Sequence, residues 1–322
     1  MSTPLRSDWP RLAVIVVTWN VREYALAAID SVLADLASAP VRGEVWVVDN
    51  LSSDGTAEAI RGRFAEVHLL EPGSNLGFAG GNNHALRALG FPAGPDLPEY
   101  VLLLNPDTLL RPGALKALIE GMNATGAGLA GARLVYGDGS FQHSAFGFPG
   151  LAQLLIDLFP VPGRIRESRL NGRYPRSLYA GREPFDVDHP LGATFCLRGE
   201  VIRQVGLLDE QFHLYCEEID WAMRIRAAGW RAICVPSAEV VHYGGQSTSQ
   251  VKPQAVIHLW TARLKLYRKH YSPLKRVLAK IILRAGMNRA IQRTARDSSR
   301  SEESRRALVD AYREVIRLSR RV

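Results

Sequence analysis

Cysteine and long apolar runs are both scarce in this chain of 322 residues. The three cysteines, Cys196, Cys216 and Cys234, are scattered without a C-x-x-C spacing, which favours isolated thiols in a reducing cytosol. No stretch of about 18 apolar residues occurs, so the sequence predicts no simple transmembrane helix. The polar start MSTPLRSDWPRL and the brief apolar run 12–17 do not form a signal-peptide pattern. We therefore expect a cytoplasmic protein.

The glycine-rich loops that bind phosphate groups in two large enzyme classes are also missing. The first predicted strand, residues 12–17, continues into TWNVRE, which has no glycine where a Rossmann G-x-G-x-x-G fingerprint requires it. The glycines of GFAGG, residues 77–81, come after the third predicted strand, and the sequence contains no Walker loop. Nicotinamide and P-loop chemistry are therefore disfavoured.

The net charge of +8 is distributed unevenly. Residues 252–322 hold 19 of the 40 Lys and Arg residues but 5 of the 32 Asp and Glu residues, whereas residues 1–251 hold more acidic than basic residues. A basic C-terminal segment suggests a polyanionic partner, either nucleic acid or an anionic membrane surface. No helix-turn-helix, RRM or zinc pattern accompanies the charge, so no nucleic-acid partner is expected.

Predicted strands and helices alternate through the first half of the chain. Strands are predicted at 12–17, 44–48, 67–70, 100–104 and 127–135, with helices between them from about 20, 54, 79 and 113. Asn20 is predicted to cap the first helix, with Glu23 completing a capping box. Because the strands are continuously apolar, we predict an α/β fold with a mostly parallel sheet covered by helices on both faces.

The second half is less regular. Residues 141–188 are interpreted as an irregular excursion over the surface. Strands are predicted at 193–198, 231–235 and 239–241, and helices up to 205 and at 218–228, 256–268, 274–284 and 307–318.

Two aspartates follow predicted strands at the edge where such sheets bind ligands. Asp49 ends the second strand in VVDNLSSDGT, and Asp107 ends the fourth in LLLNPDT. Turn formation and helix capping are an alternative explanation, and Ser53 and Asp54 are assigned to it. A divalent cation that bridges phosphates needs one or two carboxylates, and Asp107 would fit that role.

A second cluster of carboxylates lies in LYCEEIDWAMRIRAAGW, residues 214–230, at a predicted helix start. Glu217, Glu218 and Asp220 would raise one another's pKa, which suits a general base, although a helix N-terminus stabilised by negative charge is the alternative. Asp220 and Arg224 are i,i+4 neighbours and are expected to pair, leaving Glu218 to face a cleft. His242 follows a strand in EVVHYGG and is a candidate metal ligand or a structural histidine.

Six segments together resemble glycosyltransferase family 2, and within it the rhamnosyltransferase-like branch. They are VIVVTWN (14–20), VVDNLSSDGT (47–56), NLGFAGGNN (75–83), LLLNPDT (102–108), GATFCLRGEVIRQVGLLDEQFHLYCEEIDWAMRIRAAGW (192–230) and VPSAEVVHYGG (235–245). The resemblance implies a GT-A fold over residues 1–250, with a nucleotide-binding half at about 10–140 and an acceptor half at about 141–250. Residues 251–322 would form a basic helical tail. It also implies an inverting transferase that uses a nucleotide-diphosphate sugar and Mg²⁺ or Mn²⁺.

The resemblance also assigns roles by position. Glu218 would be the catalytic base, where the family usually has aspartate, and Asp107 and His242 would bind the metal. Asn105 stands where the family's D-x-D motif has its first aspartate. The residues implied at the sugar-donor site are Thr18, Asn20, Asp49, Asn75, Gly77, Asn82, Asn105 and Asp107, and those implied to support the acceptor side are Glu217, Asp220, Arg224 and Gly192.

The same resemblance suggests rhamnose from dTDP-rhamnose as the transferred sugar and a lipid-linked or saccharide acceptor in cell-surface polysaccharide synthesis. Alternatives are a UDP-sugar donor (galactofuranose, glucose or N-acetylglucosamine) and a non-catalytic nucleotide-sugar-binding protein. Aromatic and apolar residues alternate with Lys and Arg over 252–285, which predicts peripheral binding to the inner face of an anionic membrane, or else a packed helix with a solvated basic face. The sequence leaves the oligomeric state open, a dimer being one option.

Overall fold

The computed structural model describes residues 9–245 and 252–320, and within them the main sheet has ten strands. The strands of the chain are β1 (Arg11–Thr18), β2 (Arg42–Asp49), β3 (His68–Leu70), β4 (Tyr100–Leu104), β5 (Thr108–Leu110), β6 (Leu129–Val135), β7 (Phe141–Gln142), β8 (Ala145–Phe146), β9 (Phe185–Val187), β10 (His189–Pro190), β11 (Thr194–Arg198) and β12 (Ala232–His242). The main sheet has the order β3-β2-β1-β4-β11-β6-β12-β5, with β7 beside β6 and β9 beside β12, while β8 and β10 form a separate pair. Strands β3, β2, β1 and β4 run parallel, and β11 is antiparallel to both of its neighbours.

Helices cover both faces of this sheet. They are α1 (Arg22–Leu36), α2 (Thr56–Arg63), α3 (Gly77–Ala88), α4 (Ala114–Thr125), α5 (Leu151–Leu158), α6 (Gly163–Arg166), α7 (Arg176–Ala180), α8 (Gly199–Val205), α9 (Glu217–Ala227), α10 (Lys252–His270), α11 (Pro273–Ala295) and α12 (Glu302–Leu318), with a 3₁₀ turn at Arg169–Asn171. Alternate residues of each central strand enter opposite cores: Leu102 of β4 packs towards α1, α2 and α4, and Leu103 packs towards α3, α8 and α9. Both faces are buried, which explains the continuously apolar strands and confirms the predicted architecture.

Two predictions for the second half need correction. The predicted strands 231–235 and 239–241 are one strand, β12, whose pairing with β6 shifts register between Val235 and Glu239. The excursion 141–188 is not irregular throughout, because it contains β7, β8, β9 and three short helices. Its longest helix, α5 (LAQLLIDL), buries Leu154 against Tyr267 and Ala279 of the C-terminal helices. That burial explains why an apolar helix forms in a segment otherwise rich in proline and glycine.

The C-terminal segment forms three helices that pack on α5, on the loop before α9 and on one another. Leu264, Leu283, Met287 and Val315 form their buried centre, and Ala262 and Leu266 of α10 pack against Phe212 and Ile219. The predicted boundary at residues 250 and 251 lies outside the described residues. Across the described part of the chain, no helix is long and apolar enough to cross a membrane.

Candidate active site

The carboxyl ends of β1, β2 and β4 meet at one edge of the sheet. Thr18 is the register partner of Asp49, and Asn105 follows β4, the other parallel neighbour of β1. From β1 the chain adds β2 and β3 on one side of β1 and then crosses to add β4 on the other side, so the strand order reverses at β1. Open α/β sheets form a ligand crevice at such a point. The sheet therefore brings together the strand-end residues that the sequence singled out.

Thr18 and Asp49 are buried at this edge with unused hydrogen-bonding capacity. One oxygen of Asp49, Oδ2, accepts a hydrogen bond from the backbone N–H of Ser52 at 3.0 Å. Asp49 Oδ1 and Thr18 Oγ1 are buried and have no hydrogen-bonding partner among the described residues. Since buried polar atoms are normally satisfied, both atoms are available to a bound molecule.

Asn20 does not cap the first helix, so the capping-box prediction is wrong. The residue before the helix is Val21, which provides no side-chain cap, and Asn20 itself has a left-handed backbone with φ 51°. That conformation turns its side chain to the neighbouring loop, where Asn20 Oδ1 accepts from the Ser53 N–H at 2.7 Å. The Asn20 N–H donates to Ser52 Oγ at 3.0 Å, so Asn20 joins the loops that follow β1 and β2.

The NLGF segment, residues 75–78, is held against this edge by specific contacts. Asn50 Nδ2 donates to the Gly77 carbonyl at 3.0 Å, and Asn75 Oδ1 accepts from the Gly77 N–H at 2.9 Å. Gly77 has φ 70°, and a β-carbon there would lie 2.2 Å from the carbonyl oxygen of His213. Only glycine satisfies both constraints.

A cavity of about 350 Å³ opens at these strand ends, and we refer to it as the strand-end cavity. Among its lining residues are the predicted Thr18, Asn75, Gly77, Asn105 and Asp107, together with Trp19, Asn50, His213, Gln254 and His258, which the sequence did not single out. Asn82 lies deeper in α3, where its side chain donates to the Phe78 carbonyl at 2.9 Å, and it is not among the lining residues. Asn50 is adjacent to Asp49 in the motif, but nothing in the sequence signalled His213 or His258.

Asp107 and His242 are brought together by the pairing of β5 with β12. His242 is the register partner of Thr108, and the Tyr243 N–H donates to the Asp107 carbonyl at 3.0 Å. Both side chains are buried, and His242 Nε2 lies 3.4 Å from Asp107 Oδ1. Residues 135 positions apart in the chain therefore form one pair, of which Asp107 lines the strand-end cavity.

The surroundings of this pair suit a cation. His242 Nδ1 lies 3.2 Å from Gln142 Oε1, and a hydrogen bond from Nδ1–H to that oxygen leaves the lone pair on Nε2 facing the carboxylate. Nε2 is buried and has no hydrogen-bonding partner among the described residues. Within the described chain, no group of three or more His, Cys, Asp or Glu residues could hold a metal. A metal here would therefore take its other ligands from substrate or water.

Glu217 and Glu218 open α9, as predicted. The helix follows two consecutive left-handed residues, Tyr215 (φ 71°) and Cys216 (φ 67°), which turn the chain sharply into it. Burial raises the pKa of Glu218, and burial together with the charge of Glu218 raises the pKa of Glu217 well above its ordinary value. One oxygen of each carboxyl is buried without a hydrogen-bonding partner among the described residues.

Glu218 lines a second cavity of about 240 Å³, which we refer to as the Glu218 cavity. A β-carbon on Gly192 would lie 3.6 Å from Glu218 Cγ, so Gly192 lies directly against the carboxylate side chain. The cavity is also lined by Asp157 of α5, Arg173 of the excursion and Arg263 of α10. Sequence reasoning missed these three, since no local pattern indicates that such distant segments meet.

Asp220 is fully buried and contacts three basic side chains. Arg224 Nε lies 2.9 Å from Asp220 Oδ2, which confirms the predicted pair, and Lys269 Nζ and His270 Nε2 each lie 2.7 Å from Oδ1. Arg224 also donates to the carbonyls of Val205 and Leu207. These contacts fasten the helix that carries Glu218 to α10, which makes Asp220 and Arg224 supporting residues.

Comparison with known proteins identifies the family of the chain. Residues 13–174 match the family model described as "Glycosyl transferase family 2". Over 245 residues the chain is 31% identical to an N-acetylglucosaminyl-diphospho-decaprenol L-rhamnosyltransferase of Mycobacterium tuberculosis, covering 74% of this chain and 78% of that protein. The chain belongs to glycosyltransferase family 2.

Other relatives of this family 2 glycosyltransferase extend the likeness. Rhamnosyltransferase WbbL of Escherichia coli is 24% identical over 173 residues, which cover 53% of this chain and 62% of that protein. The structure of the mannosyltransferase PcManGT from Pyrobaculum calidifontis, in complex with GDP-Man and Mn²⁺, is 18% identical and covers 98% of this chain and 85% of that one with a TM-score of 0.55. The predicted GT-A fold is confirmed, as is the assignment of the chain as a glycosyltransferase.

Proposed function

We propose that this glycosyltransferase transfers a sugar, with rhamnose from dTDP-rhamnose as the first choice, to a lipid-linked or saccharide acceptor in cell-surface polysaccharide synthesis. The observation that carries the proposal is the Asp107–His242 pair beside the buried oxygens of Thr18 and Asp49 that lack partners, all at one edge of the sheet. That arrangement offers hydrogen-bond acceptors for a nucleoside base and a cation site for a diphosphate. The names of two relatives support rhamnose.

Glu218 acts as the general base in this proposal. Its carboxylate takes the proton of an acceptor hydroxyl while the acceptor oxygen bonds to the anomeric carbon and the bond from that carbon to the diphosphate oxygen breaks. A single displacement inverts the configuration at the anomeric carbon. The raised pKa of Glu218 strengthens it as a base.

Asp107 and His242 would hold a divalent cation, Mg²⁺ or Mn²⁺. The carboxylate and the His242 nitrogen fit such an ion, because both are buried and face each other. When bound, the ion would supply positive charge to the leaving diphosphate. Asp49 and Thr18 would hold the base of the nucleotide, and Asn75 and Gly77 would line the part of the strand-end cavity that the nucleotide occupies.

The proposal is tested by screening nucleotide sugars by thermal shift, with and without Mn²⁺, followed by a transfer assay with the binders. A bound sugar donor raises the unfolding temperature by mass action. We expect dTDP-rhamnose with Mn²⁺ to give the largest shift, and stabilisation by a UDP-sugar would reassign the donor. If the protein binds a nucleotide sugar but neither transfers nor hydrolyses it, the protein is a binding protein and the proposed function is wrong.

We propose that α11 carries the membrane binding that the sequence predicts for residues 252–285. Much of α10 is used internally, since Leu264 and Tyr267 are buried and Lys269 pairs with Asp209 and Asp220. On α11, four apolar residues at i, i+3, i+4 and i+7 are between 39% and 69% exposed, and they are Leu274, Val277, Leu278 and Ile281. Lys275, Arg276 and Lys280 lie beside this stripe, which supports docking of α11 on an anionic bilayer at the inner face of the cytoplasmic membrane.

Vesicle binding tests this surface. The full chain should co-sediment with phosphatidylserine-containing vesicles at low salt, and the double variant Val277→Asp/Ile281→Asp should not. Leu170→Asp is the matched control, because Leu170 is 63% exposed on a 3₁₀ turn outside the stripe. Equal binding by the double variant, or no binding by the unchanged protein, would contradict the membrane assignment.

A further inference from the structure

Arg263 belongs by sequence to the basic C-terminal segment, yet it points into the Glu218 cavity. Its side chain is only 19% exposed, and its Nη1 donates to Asp157 Oδ2 at 2.8 Å. Asp157 thus engages one N–H group of the guanidinium, whose Cζ also lies 5.7 Å from the centre of the Trp260 ring. The neighbouring turn of α10 contributes His258 and Gln254 to the strand-end cavity, so this one helix borders both cavities.

A second arginine enters the same cavity from a different part of the chain. Arg173 lies in the segment between the 3₁₀ turn and α7, and its Nε is buried without a hydrogen-bonding partner among the described residues. Its ion-pair partner, Glu167, is 3.5 Å from Nη1 and also interacts with His143 and Arg176. The charge of Arg173 is therefore only partly balanced within the protein.

Two arginines beside a general base need an explanation. Arg263 lowers the pKa of Glu218 and so opposes the burial that strengthens this base. The nearby His189 adds no positive charge near neutral pH, because burial lowers its pKa to about 4. Arg263 makes Glu218 a weaker base while the acceptor site is empty. If an anionic group of the acceptor pairs with Arg263 on binding, the pKa of Glu218 rises and the base becomes stronger when its substrate is present.

We propose that Arg263 and Arg173 bind a phosphate group of the acceptor, so that the acceptor is a sugar phosphate or sugar diphosphate whose hydroxyl lies at Glu218. Guanidinium groups bind phosphate oxygens through paired, charge-assisted hydrogen bonds, which suits this anion. The inference rests on the proposed function and deepens it, because it names the group that distinguishes the acceptor. It also gives part of the basic C-terminal segment a role in acceptor recognition.

The test compares a charged and a neutral acceptor that carry the same sugar. The first is N-acetylglucosamine carried on a short-chain prenyl diphosphate, and the second is a neutral alkyl N-acetylglucosaminide; N-acetylglucosamine 1-phosphate separates recognition of the phosphate from recognition of the lipid. Arg263→Gln and Arg173→Gln should each raise KM for the diphosphate acceptor by about 10- to 100-fold, as expected for losing a hydrogen bond between charged groups. KM for the sugar donor should change by less than about twofold, as for an independent site, and KM for the neutral acceptor should rise far less than KM for the diphosphate acceptor.

The matched control is Arg268→Gln, the same substitution at an exposed arginine of the same helix that lines neither cavity. Arg263→Lys should recover part of the affinity for the diphosphate acceptor, since it keeps the charge and loses the forked geometry. A loss of the same size with both acceptors would mean that Arg263 has only a structural role and would overturn the proposal.

Calorimetric binding of the diphosphate acceptor without sugar donor separates this inference from the proposed function. Binding that depends on Arg263 in a protein that does not transfer sugar would overturn the function and keep the anion site. Transfer that is indifferent to both arginines would overturn the anion site and keep the function. A protein that neither transfers sugar nor binds this acceptor would overturn both.

Discussion

The strand-end cavity takes several of its polar residues from the carboxyl ends of β1, β2 and β4, whereas the Glu218 cavity takes its charged residues from four separate parts of the chain. In the first, residues such as Thr18, Asn50 and Asn105 are placed by the parallel register of the sheet. In the second, Arg173, Glu218 and Arg263 come from the excursion, α9 and α10, which meet through tertiary packing. The two cavities thus differ in how directly the local sequence determines them.

That difference decides how much could be predicted. The continuously apolar strands predicted a sheet covered on both faces, and the carboxylates that follow them predicted the ligand-binding edge, because both follow from local pattern and sheet geometry. The amphipathic pattern of α10 predicted a helix but not what covers its apolar face. A membrane and the protein interior select the same residues, so Leu264 and Tyr267 gave no indication that they would be buried.

The largest expected effect comes from Glu218→Gln, which removes the general base from one cavity and leaves the other intact. Transfer should fall by about 10²- to 10⁴-fold, the usual contribution of general-base catalysis. The thermal shift produced by the nucleotide sugar should stay unchanged, because donor binding is assigned to the strand-end cavity. Full activity in this variant would contradict the assignment of Glu218 as the base.

Asp107→Ala should also abolish transfer, because it removes a proposed metal ligand from the strand-end cavity and leaves the Glu218 cavity intact. Loss of the carboxylate should remove the dependence of donor binding on Mn²⁺, which is measured by thermal shift across a titration of the metal. His242→Ala should have the smaller effect, and a higher Mn²⁺ concentration should restore part of the activity. The metal assignment would be contradicted if Asp107→Ala kept the wild-type dependence on Mn²⁺.

The pH dependence of kcat/KM should report the Glu218 cavity alone. Glu218 must be ionised to accept a proton, and burial raises its pKa above the ordinary value of 4.5. The acidic limb of the profile should therefore lie above pH 4.5, with activity lost as pH falls through the raised pKa. Arg263→Gln should move this limb to still higher pH, because Arg263 lowers the pKa of Glu218. An acidic limb unchanged by that substitution would mean that the two side chains do not interact.

The smallest expected effect is on stability, in the variant Glu217→Gln. The pKa of Glu217 is raised in the folded protein, so its protonated form is favoured there, and its contribution to stability is full at low pH and lost as pH rises towards the raised value. Glutamine does not ionise, so the Glu217→Gln variant does not lose this stability as pH rises. The unfolding free energy of the variant relative to wild type should therefore increase as pH rises above the ordinary value of 4.5, by at most about 1.4 kcal/mol per pH unit. Denaturant titrations at several pH values measure it, with the exposed Glu66→Gln as control. A difference that does not vary with pH would show that Glu217 ionises as readily in the folded chain as in the unfolded one. The neighbouring carboxylates of α9 would then not raise one another's pKa, which removes one reason for assigning Glu218 as the base.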